Sequence, residues 1–405
     1  MRSISALLAS AAVMAVAPMA VAQQTPWSDP ATIRRELVMR DDLMLSGMLA
    51  AYELRDADAA QALEIFLASG AGDGEARQTA RGTLAMVQLR QGRYADAVET
   101  LDTALAAFEG SDDTRRGLEQ TRGVAAALSG APPQVRRDFA EGSVAFERDM
   151  AGLPRVPLTI NGQAREYVFD TGANFSVVTE SQAAELGLRM LGQSAGIGSV
   201  TQDTTAAHLA MADTLTIGNL TFENVVFLVM PDSSLSFAGG VYRIPGILGF
   251  PVISQMERLS VAETRLAWAA SAGPVMERDL FVDGLTPRVY GHIGDGPAVQ
   301  FALDTGANRT GLRPVVLIER PALAEGARAR TERVGGAGGV VEVESRQIPR
   351  VTLRFDGVTV ELQNVSVADE SAGGDDIHGR LGQDVLRRGY VMDFPAGDFA
   401  LMGGD

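Results

Sequence analysis

The chain has 405 residues, of which 46% are hydrophobic and 21% are charged, and it contains no cysteine. This composition is typical of a globular protein with a sizeable core, and the length suggests about two or three domains. A formal net charge of -16 argues against nucleic acid as a partner, since a phosphate backbone would be repelled. The lack of cysteine excludes disulfides, thiol catalysis and cysteine metal sites.

The first 22 residues have the pattern of a signal peptide. Arg2 supplies a positive charge, Ile4 to Ala17 is almost wholly apolar, and a small-x-small cleavage site ends at Ala22. We therefore expect cleavage after Ala22 and a periplasmic or secreted mature protein that does not associate with the membrane. The alternative is an uncleaved N-terminal anchor, although the apolar run is short for a span of about 20 residues.

Residues 23–140 are predicted to form a helical domain. From about residue 31 onward, alanine, leucine, glutamate and arginine dominate, and apolar positions recur at helical spacing. Leu54 and the residues after it align with Leu89 and its followers at an offset of 35, and the segment from Gly92 to Leu105 resembles a tetratricopeptide repeat. A plain helical bundle is the alternative. Either domain would bind or position a protein partner more often than carry chemistry.

From about residue 142 the pattern is typical of an all-β domain. Short alternating or apolar runs are separated by turn dipeptides. These dipeptides are Asn161-Gly162, Gly218-Asn219 and Asp356-Gly357.

The β region is duplicated. Asp170-Thr171-Gly172-Ala173-Asn174 recurs at 304–308 as Asp304-Thr305-Gly306-Ala307-Asn308, and Gly246-Ile247-Leu248-Gly249 recurs less closely as Gly379-Arg380-Leu381-Gly382. Gly249 lies 79 residues after Asp170, and Gly382 lies 78 residues after Asp304. Matched landmarks at near-equal spacing predict two equivalent lobes, residues 141–272 and 273–405.

Each repeated motif follows an apolar run, so each aspartate is expected where a strand ends, because aspartate is disfavoured inside strands. Gly172 and Gly306 are expected to supply backbone freedom for the turn. The hydroxyls of Thr171 and Thr305 are short enough to hydrogen-bond a neighbouring backbone.

With these motifs, residues 142–405 resemble the pepsin and retropepsin class of aspartic proteases. The resemblance implies a bilobal all-β acid-protease fold after the helical domain, and aspartic endopeptidase activity with Asp170 and Asp304 as the catalytic pair around one water. It also implies an interlock between Thr171 and Thr305, and apolar segments that brace the loops from behind. The braces would be Ile247-Leu248-Gly249 and Arg380-Leu381-Gly382. The substrate would be an extended peptide or unfolded protein, with no metal and no cofactor.

Three details bring the sequence nearer to retropepsins than to pepsin, and one of them is the absence of cysteine. Ala173 and Ala307 stand where pepsin-like enzymes usually have a hydroxyl that favours the charged carboxylate. We therefore expect a dyad with a raised pKa and a pH optimum that is weakly acidic. The candidate flap tips lack tyrosine and are rich in glycine; ordinary exposed turns are the alternative. Their candidate substrate-binding residues are Gly198, Ser199, Gly336 and Gly338.

Arg380 departs from the family pattern, which has an apolar residue at this position. Three outcomes are open. The side chain could extend outward to solvent. It could pair with an acid such as Asp375, Asp376 or Asp384, or it could mark a looser second brace.

Other functions are weighed against the endopeptidase. A binding module could retain the protease fold for a peptide or partner, with the helical domain as adaptor. A serine hydrolase or zinc enzyme is a further alternative and is disfavoured; no His-Glu-x-x-His occurs. Regulation in cis is a further possibility, with the helical domain or residues 131–153 acting as a propeptide or covering the cleft.

Overall fold

The computed structural model describes residues 27–193, 197–199, 202–205, 208–273, 275–336, 339–368 and 377–403. The predicted signal peptide lies outside these residues. A helical region is followed by a bilobal β region, as the sequence predicts. Within the described part of the chain, no helix combines the length and apolarity needed to cross a membrane.

The helical region consists of successive helices, four of which have clear sequence signals at their starts. Asp29, Asp42, Asp73 and Ser111 cap four of them, since each side chain accepts a backbone N–H of the first turn. The bounds are α1 (Pro30–Met39), α2 (Leu43–Tyr52), α3 (Asp56–Ala68), α4 (Gly74–Arg90), α5 (Tyr94–Ala106) and α6 (Asp112–Leu128).

The hairpins α2–α3 and α4–α5 are built alike, but at a different offset from the one predicted. The turn of the first contains Leu54 at φ 56°, and the turn of the second contains Gly92 at φ 72°. Both residues donate their N–H to the carbonyl three positions earlier, on Ala51 and Leu89 respectively. These two equivalent turn residues lie 38 positions apart, so the repeat offset of 35 residues that the sequence predicted was wrong. The apolar pattern alone tolerates such a slip, because it repeats every three to four residues.

The first lobe is a nine-stranded sheet with two short helices. Its main path runs β1-β11-β6-β14-β5-β4-β10-β7, and β3 pairs with β4. The strands of this sheet are β1 (Val135–Arg136), β3 (Glu147–Arg148), β4 (Pro154–Ile160), β5 (Gln163–Phe169), β6 (Ser176–Thr179), β7 (Arg189–Gln193), β10 (His208–Ile217), β11 (Leu220–Met230) and β14 (Gly246–Leu248). The strands of the same part of the chain that lie outside this sheet are β2 (Gly142–Ala145), β8 (Ile197–Ser199), β9 (Gln202–Thr205), β12 (Ser236–Phe237), β13 (Tyr242–Arg243), β15 (Arg258–Ala262) and β16 (Arg265–Ala269). The two helices are α7 (Glu180–Glu185) and α8 (Phe250–Ile253).

The second lobe is an eight-stranded sheet in the order β17-β18-β19-β24-β20-β23-β22-β21. Its run β18-β19-β24-β20 repeats the run β4-β5-β14-β6 of the first lobe with the same strand directions. The elements are β17 (Leu280–Asp283), β18 (Thr286–Ile293), β19 (Ala298–Leu303), β20 (Gly311–Leu312), α9 (Val315–Glu319), β21 (Arg328–Gly336), β22 (Gly339–Phe355), β23 (Val358–Ala368), β24 (Gly379–Leu381), α10 (Gln383–Leu386), β25 (Tyr390–Asp393) and β26 (Asp398–Leu401).

The three predicted turn dipeptides each form the two-residue loop of a β-hairpin. Asn161-Gly162 and Asp356-Gly357 have positive φ at both residues, as type I′ turns require. Asparagine, aspartate and glycine adopt this conformation at little cost, so these turns are confirmed.

A five-stranded sheet, β2-β16-β15-β25-β26, connects the two lobes. Its first three strands belong to the first lobe, and its last two come from the end of the chain. β1, β2 and β3 lie within residues 131–153 and pair with β11, β16 and β4 respectively. The stretch considered as a propeptide is thus part of the sheets of the β region.

The helical region packs directly on the second lobe. The guanidinium of Arg90 donates to the carbonyl oxygen of Gly284 at 2.7 Å. The ring of Tyr52 meets that of Phe281 edge to face, with centroids 5.9 Å apart. Buried residues of α4, α5 and α6 also join the hydrophobic core of the lobes. The helical region and the β region therefore share one hydrophobic core.

Candidate active site

The two repeated motifs lie at equivalent places in the two lobes. Asp170 follows β5 and Asp304 follows β19. The N–H of Asp170 donates to the Leu248 carbonyl at 3.0 Å, and the N–H of Asp304 donates to the Leu381 carbonyl at 3.1 Å. Those carbonyls belong to β14 and β24, which run parallel to β5 and β19. Each aspartate is therefore held at the end of its strand by a hydrogen bond to the neighbouring parallel strand, β14 or β24.

Thr171 and Thr305 join the two loops through four buried hydrogen bonds. The Thr171 hydroxyl donates to the Leu303 carbonyl at 2.8 Å and accepts the N–H of Thr305 at 3.1 Å. The Thr305 hydroxyl donates to the Phe169 carbonyl at 2.7 Å and accepts the N–H of Thr171 at 3.0 Å. Each hydroxyl thus binds the backbone of the opposite lobe, which fixes the two loops relative to each other.

Gly172 and Gly306 are needed for space and not for an unusual backbone conformation. Neither is among the residues with positive φ, so the expected role in backbone freedom was wrong. A Cβ added to Gly172 would lie 2.7 Å from the carboxyl carbon of Asp304, and a Cβ added to Gly306 would collide with the Asp170 carboxyl. Each carboxyl group therefore packs against the glycine of the opposite loop.

The Asp170 carboxyl is fully buried, and its pKa is raised well above the ordinary range. Burial is the largest cause; the neighbouring Asp304 adds to it through its charge and a hydrogen bond. The N–H of Gly172, which donates to Oδ1 of Asp170 at 2.8 Å, and the charge of Arg380 act in the opposite direction. Two adjacent buried carboxyls avoid a double charge by sharing one proton.

Ala173 and Ala307 are both buried, so the residue after each glycine presents a methyl group and no hydroxyl. The raised pKa of Asp170 has the direction that these alanines predict. Burial is nevertheless its main cause, and no hydroxyl at residue 173 opposes that effect.

Ser176 and Thr310 are equivalent supporting residues that the sequence reasoning missed. The Ser176 hydroxyl accepts the N–H of Gly249 at 3.1 Å, and the Thr310 hydroxyl accepts the N–H of Gly382 at 3.0 Å. Each ties the brace segment to its loop. They lie six residues after their aspartates, so extending the repeated motif by two positions would have found them.

Gln383 supports only the second loop. Its side-chain amide donates to the Thr305 carbonyl at 2.7 Å, and its oxygen accepts a hydrogen bond from Arg148 at 2.7 Å. The equivalent position of the first lobe is Phe250, whose side chain cannot make these bonds. The two lobes thus hold their loops by partly different means.

Arg380 lies beside the dyad. Its Nη1 is 3.3 Å from Oδ2 of Asp304, and its side chain is 22% exposed. The outward orientation considered from the sequence was therefore wrong. Asp384 instead accepts hydrogen bonds from the N–H and hydroxyl of Thr310, at 2.8 and 2.6 Å. The two other acids considered, Asp375 and Asp376, lie outside the described residues.

The flap candidates lie in β-hairpins or at their ends. Gly198 and Ser199 belong to β8, which pairs with β9. Gly336 ends β21 and pairs with Gly339 at the start of β22. Gly338 lies outside the described residues. A role in substrate binding stays a prediction for all four candidates.

The described part of the chain contains no group of three or more histidine, aspartate or glutamate residues arranged to hold a metal ion. His378 lies in the second lobe and pairs with Glu319 at 3.2 Å. The expectation of a reaction without metal or cofactor stays a prediction.

Comparison with known proteins identifies similarity in the β region. A family model described as aspartyl protease matches residues 156–252 and again residues 289–385, one copy in each lobe. Among solved structures, the chain is similar to a retropepsin-like aspartic protease from Rickettsia conorii, with 16% identity over 34% of this chain and 95% of that one, at a TM-score of 0.23. The search of curated proteins found no match.

Proposed function

We propose that the protein is an aspartic endopeptidase that works through Asp170 and Asp304, in keeping with the aspartyl protease family model that matches residues 156–252 and 289–385. One observation carries the proposal: each carboxyl lies against the glycine of the opposite loop, while Thr171 and Thr305 bind those loops together. This arrangement brings two acids from distant parts of the chain into one buried site.

The proposed reaction uses the dyad with one carboxyl ionised and the other protonated. The ionised carboxylate takes a proton from a water as that water attacks the peptide carbonyl carbon, and the protonated carboxyl donates to the carbonyl oxygen. The tetrahedral intermediate then collapses as a proton reaches the leaving nitrogen. The Thr171–Thr305 interlock would keep both acids in register throughout, because it fixes the backbone of both loops.

The proposed substrate is an extended peptide or an unfolded protein. Such a chain binds by strand-like backbone pairing, with pockets for alternate side chains. Two glycine-containing hairpins, β8–β9 and β21–β22, one from each lobe, support this substrate class. Gly198, Ser199, Gly336 and Gly338 would contact the substrate backbone.

We also propose that the enzyme is exported and processes or degrades envelope proteins, on the strength of the signal-like residues 1–22. The helical region would bind or orient a protein partner. The observation that supports this role is the direct packing of the helical region on the second lobe, through Arg90 and Tyr52. A partner bound to the helices would thus be held at a constant position relative to the dyad.

Cleavage-site profiling of a peptide library tests the activity. The wild type should cut internal peptide bonds, and Asp170→Asn and Asp304→Asn should each reduce the rate by about three orders of magnitude or more. Asp213→Asn is a matched control, since Asp213 is exposed on β10. Cleavage that survives both dyad changes would reject the mechanism. Peptide binding without cleavage by the wild type would favour the alternative, a binding module with the helical region as adaptor.

A further inference from the structure

The two lobes differ in charge at one pair of equivalent positions. Ile247 pairs with Val168, two residues before Asp170, and Arg380 pairs with Ala302, two residues before Asp304. Ile247 and Arg380 therefore occupy the same place in the two braces. The first lobe has a buried apolar side chain there, whereas the second has a guanidinium at 3.3 Å from its aspartate.

This asymmetry acts on a dyad whose two carboxyls have several features in common. Each is buried, each follows a strand, and each lies against the opposite glycine. A dyad with one proton can place its negative charge on either member. A cation in contact with one member lowers the energy of the state in which that member is ionised.

We propose that Arg380 decides the order of the dyad: it holds the negative charge on Asp304 and leaves the shared proton on Asp170. The inference rests on the proposed endopeptidase activity for its catalytic meaning, and Arg380 acts in it as a positioning residue. The raised pKa of Asp170 has the direction that this order requires. The charged groups that shift the pKa of Asp170 include Asp304, which raises it, and Arg380, which lowers it.

The order assigns a role to each acid. Asp304 accepts the proton of the attacking water, while Asp170 donates its proton to the carbonyl oxygen, and a neutral gem-diol forms. On collapse, Asp304 gives its proton to the leaving nitrogen, the C–N bond breaks, and Asp170 recovers a proton from a gem-diol hydroxyl. Both acids then return to their starting states, so protons and charge balance over one turnover.

This assignment of the charge to Asp304 and of the proton to Asp170 can be tested without any turnover, by 13C NMR titration of the aspartate carboxyls. In Asp170→Asn the remaining Asp304 should ionise at lower pH than the remaining Asp170 does in Asp304→Asn. Adding Arg380→Met to Asp170→Asn should move the Asp304 midpoint upward by about 1 to 3 pH units, and Arg380→Lys should restore part of that change. A reversed order, or equal midpoints, would overturn the proposal.

A matched control separates the contact from the general loss of a positive charge. Arg309 is exposed and follows the same loop. Arg309→Met should leave the midpoints almost unchanged. If Arg309→Met moves the Asp304 midpoint as far as Arg380→Met does, the contact has no special role and the proposal fails. Arg380→Lys keeps the test valid should Arg380→Met not fold.

The kinetic consequence is measured separately. In Arg380→Met the acid limb of the pH profile of kcat/KM should move to higher pH, because the dyad then loses its first proton at a higher pH. Arg380→Lys should move this limb less. A limb that stays in place for both variants would contradict the role of Arg380. If the wild type cuts no peptide while the titration order holds, the endopeptidase fails and the assignment of the charge survives.

Discussion

Thr171 and Thr305 each accept the backbone N–H of the other through their side-chain oxygen, at 3.1 and 3.0 Å. We expect Thr171→Val to lower the free energy of unfolding by about 2 to 5 kcal/mol, because the N–H of Thr305 and the carbonyl of Leu303 would stay buried without this partner. Thr171→Ser keeps the hydroxyl and should cost much less. Chemical denaturation measures both, and equal losses would contradict the hydrogen-bond explanation.

A second prediction concerns the close approach of Gly306 to the Asp170 carboxyl. Gly306→Ala should abolish peptide cleavage, since the added methyl would displace that carboxyl from the dyad. Gly311→Ala is the control, because a Cβ there meets open space and Gly311 has no positive φ. Activity is compared with melting temperature for both variants. Full activity in Gly306→Ala would show that the dyad geometry is not required.

A third prediction concerns the pH range of activity. Because burial raises the pKa of Asp170, this residue keeps its proton toward neutral pH, and the maximum of kcat/KM should be weakly acidic. Ala173→Ser would introduce a hydroxyl able to donate to the carboxylate, so the basic limb should move to lower pH. Ala183→Ser, on the buried side of α7, is the control. A wild-type maximum near pH 2 would refute the expectation.

A fourth prediction concerns stability and Asp279, whose pKa burial raises to about 7. A carboxyl with a raised folded-state pKa contributes stability at pH values below its unfolded pKa, and this contribution is lost as the pH rises toward 7. Asp279→Asn removes the charge and keeps an acceptor for the N–H of Phe399. The variant should melt a few degrees above the wild type at pH 8 and show little difference at pH 4.

The matched variant for this experiment is Asp213→Asn, since Asp213 is exposed. It should leave the pH dependence of the melting temperature unchanged. Equal behaviour of the Asp279 and Asp213 variants at every pH would contradict the assignment of the effect to burial.

A fifth prediction concerns the contact between the helical region and the second lobe. Arg90 is 8% exposed and binds Asp56 as well as the carbonyls of Ala51 and Gly284. Arg90→Met should destabilise the protein by about 3 to 5 kcal/mol, because it leaves the Asp56 carboxylate and two carbonyls without these donors. Arg116→Met, at an exposed ion pair, should change stability by less than about 1 kcal/mol. Thermal unfolding measures both.

Much of the fold could be read from local patterns. The hairpin turns at Asn161-Gly162 and Asp356-Gly357 depend on backbone conformations that only a few residue types favour, so the dipeptides identified them. The repeat in the helical region was misplaced by three residues, because an apolar periodicity specifies a helix face better than a turn position. The turn at Leu54 lacks the glycine that marks its counterpart at Gly92.

The sequence by itself determined the two aspartate loops, their family resemblance and the duplication of the lobes, since these depend on residue types repeated at matched spacing. Only the tertiary structure decided what Gly172, Gly306 and Arg380 contact, because each acts on a group at least 70 residues away in the chain or in the opposite lobe. Composition and periodicity carry no information about such long-range distances. The charge difference between the two aspartates therefore became visible only once the strands had placed Arg380 beside Asp304.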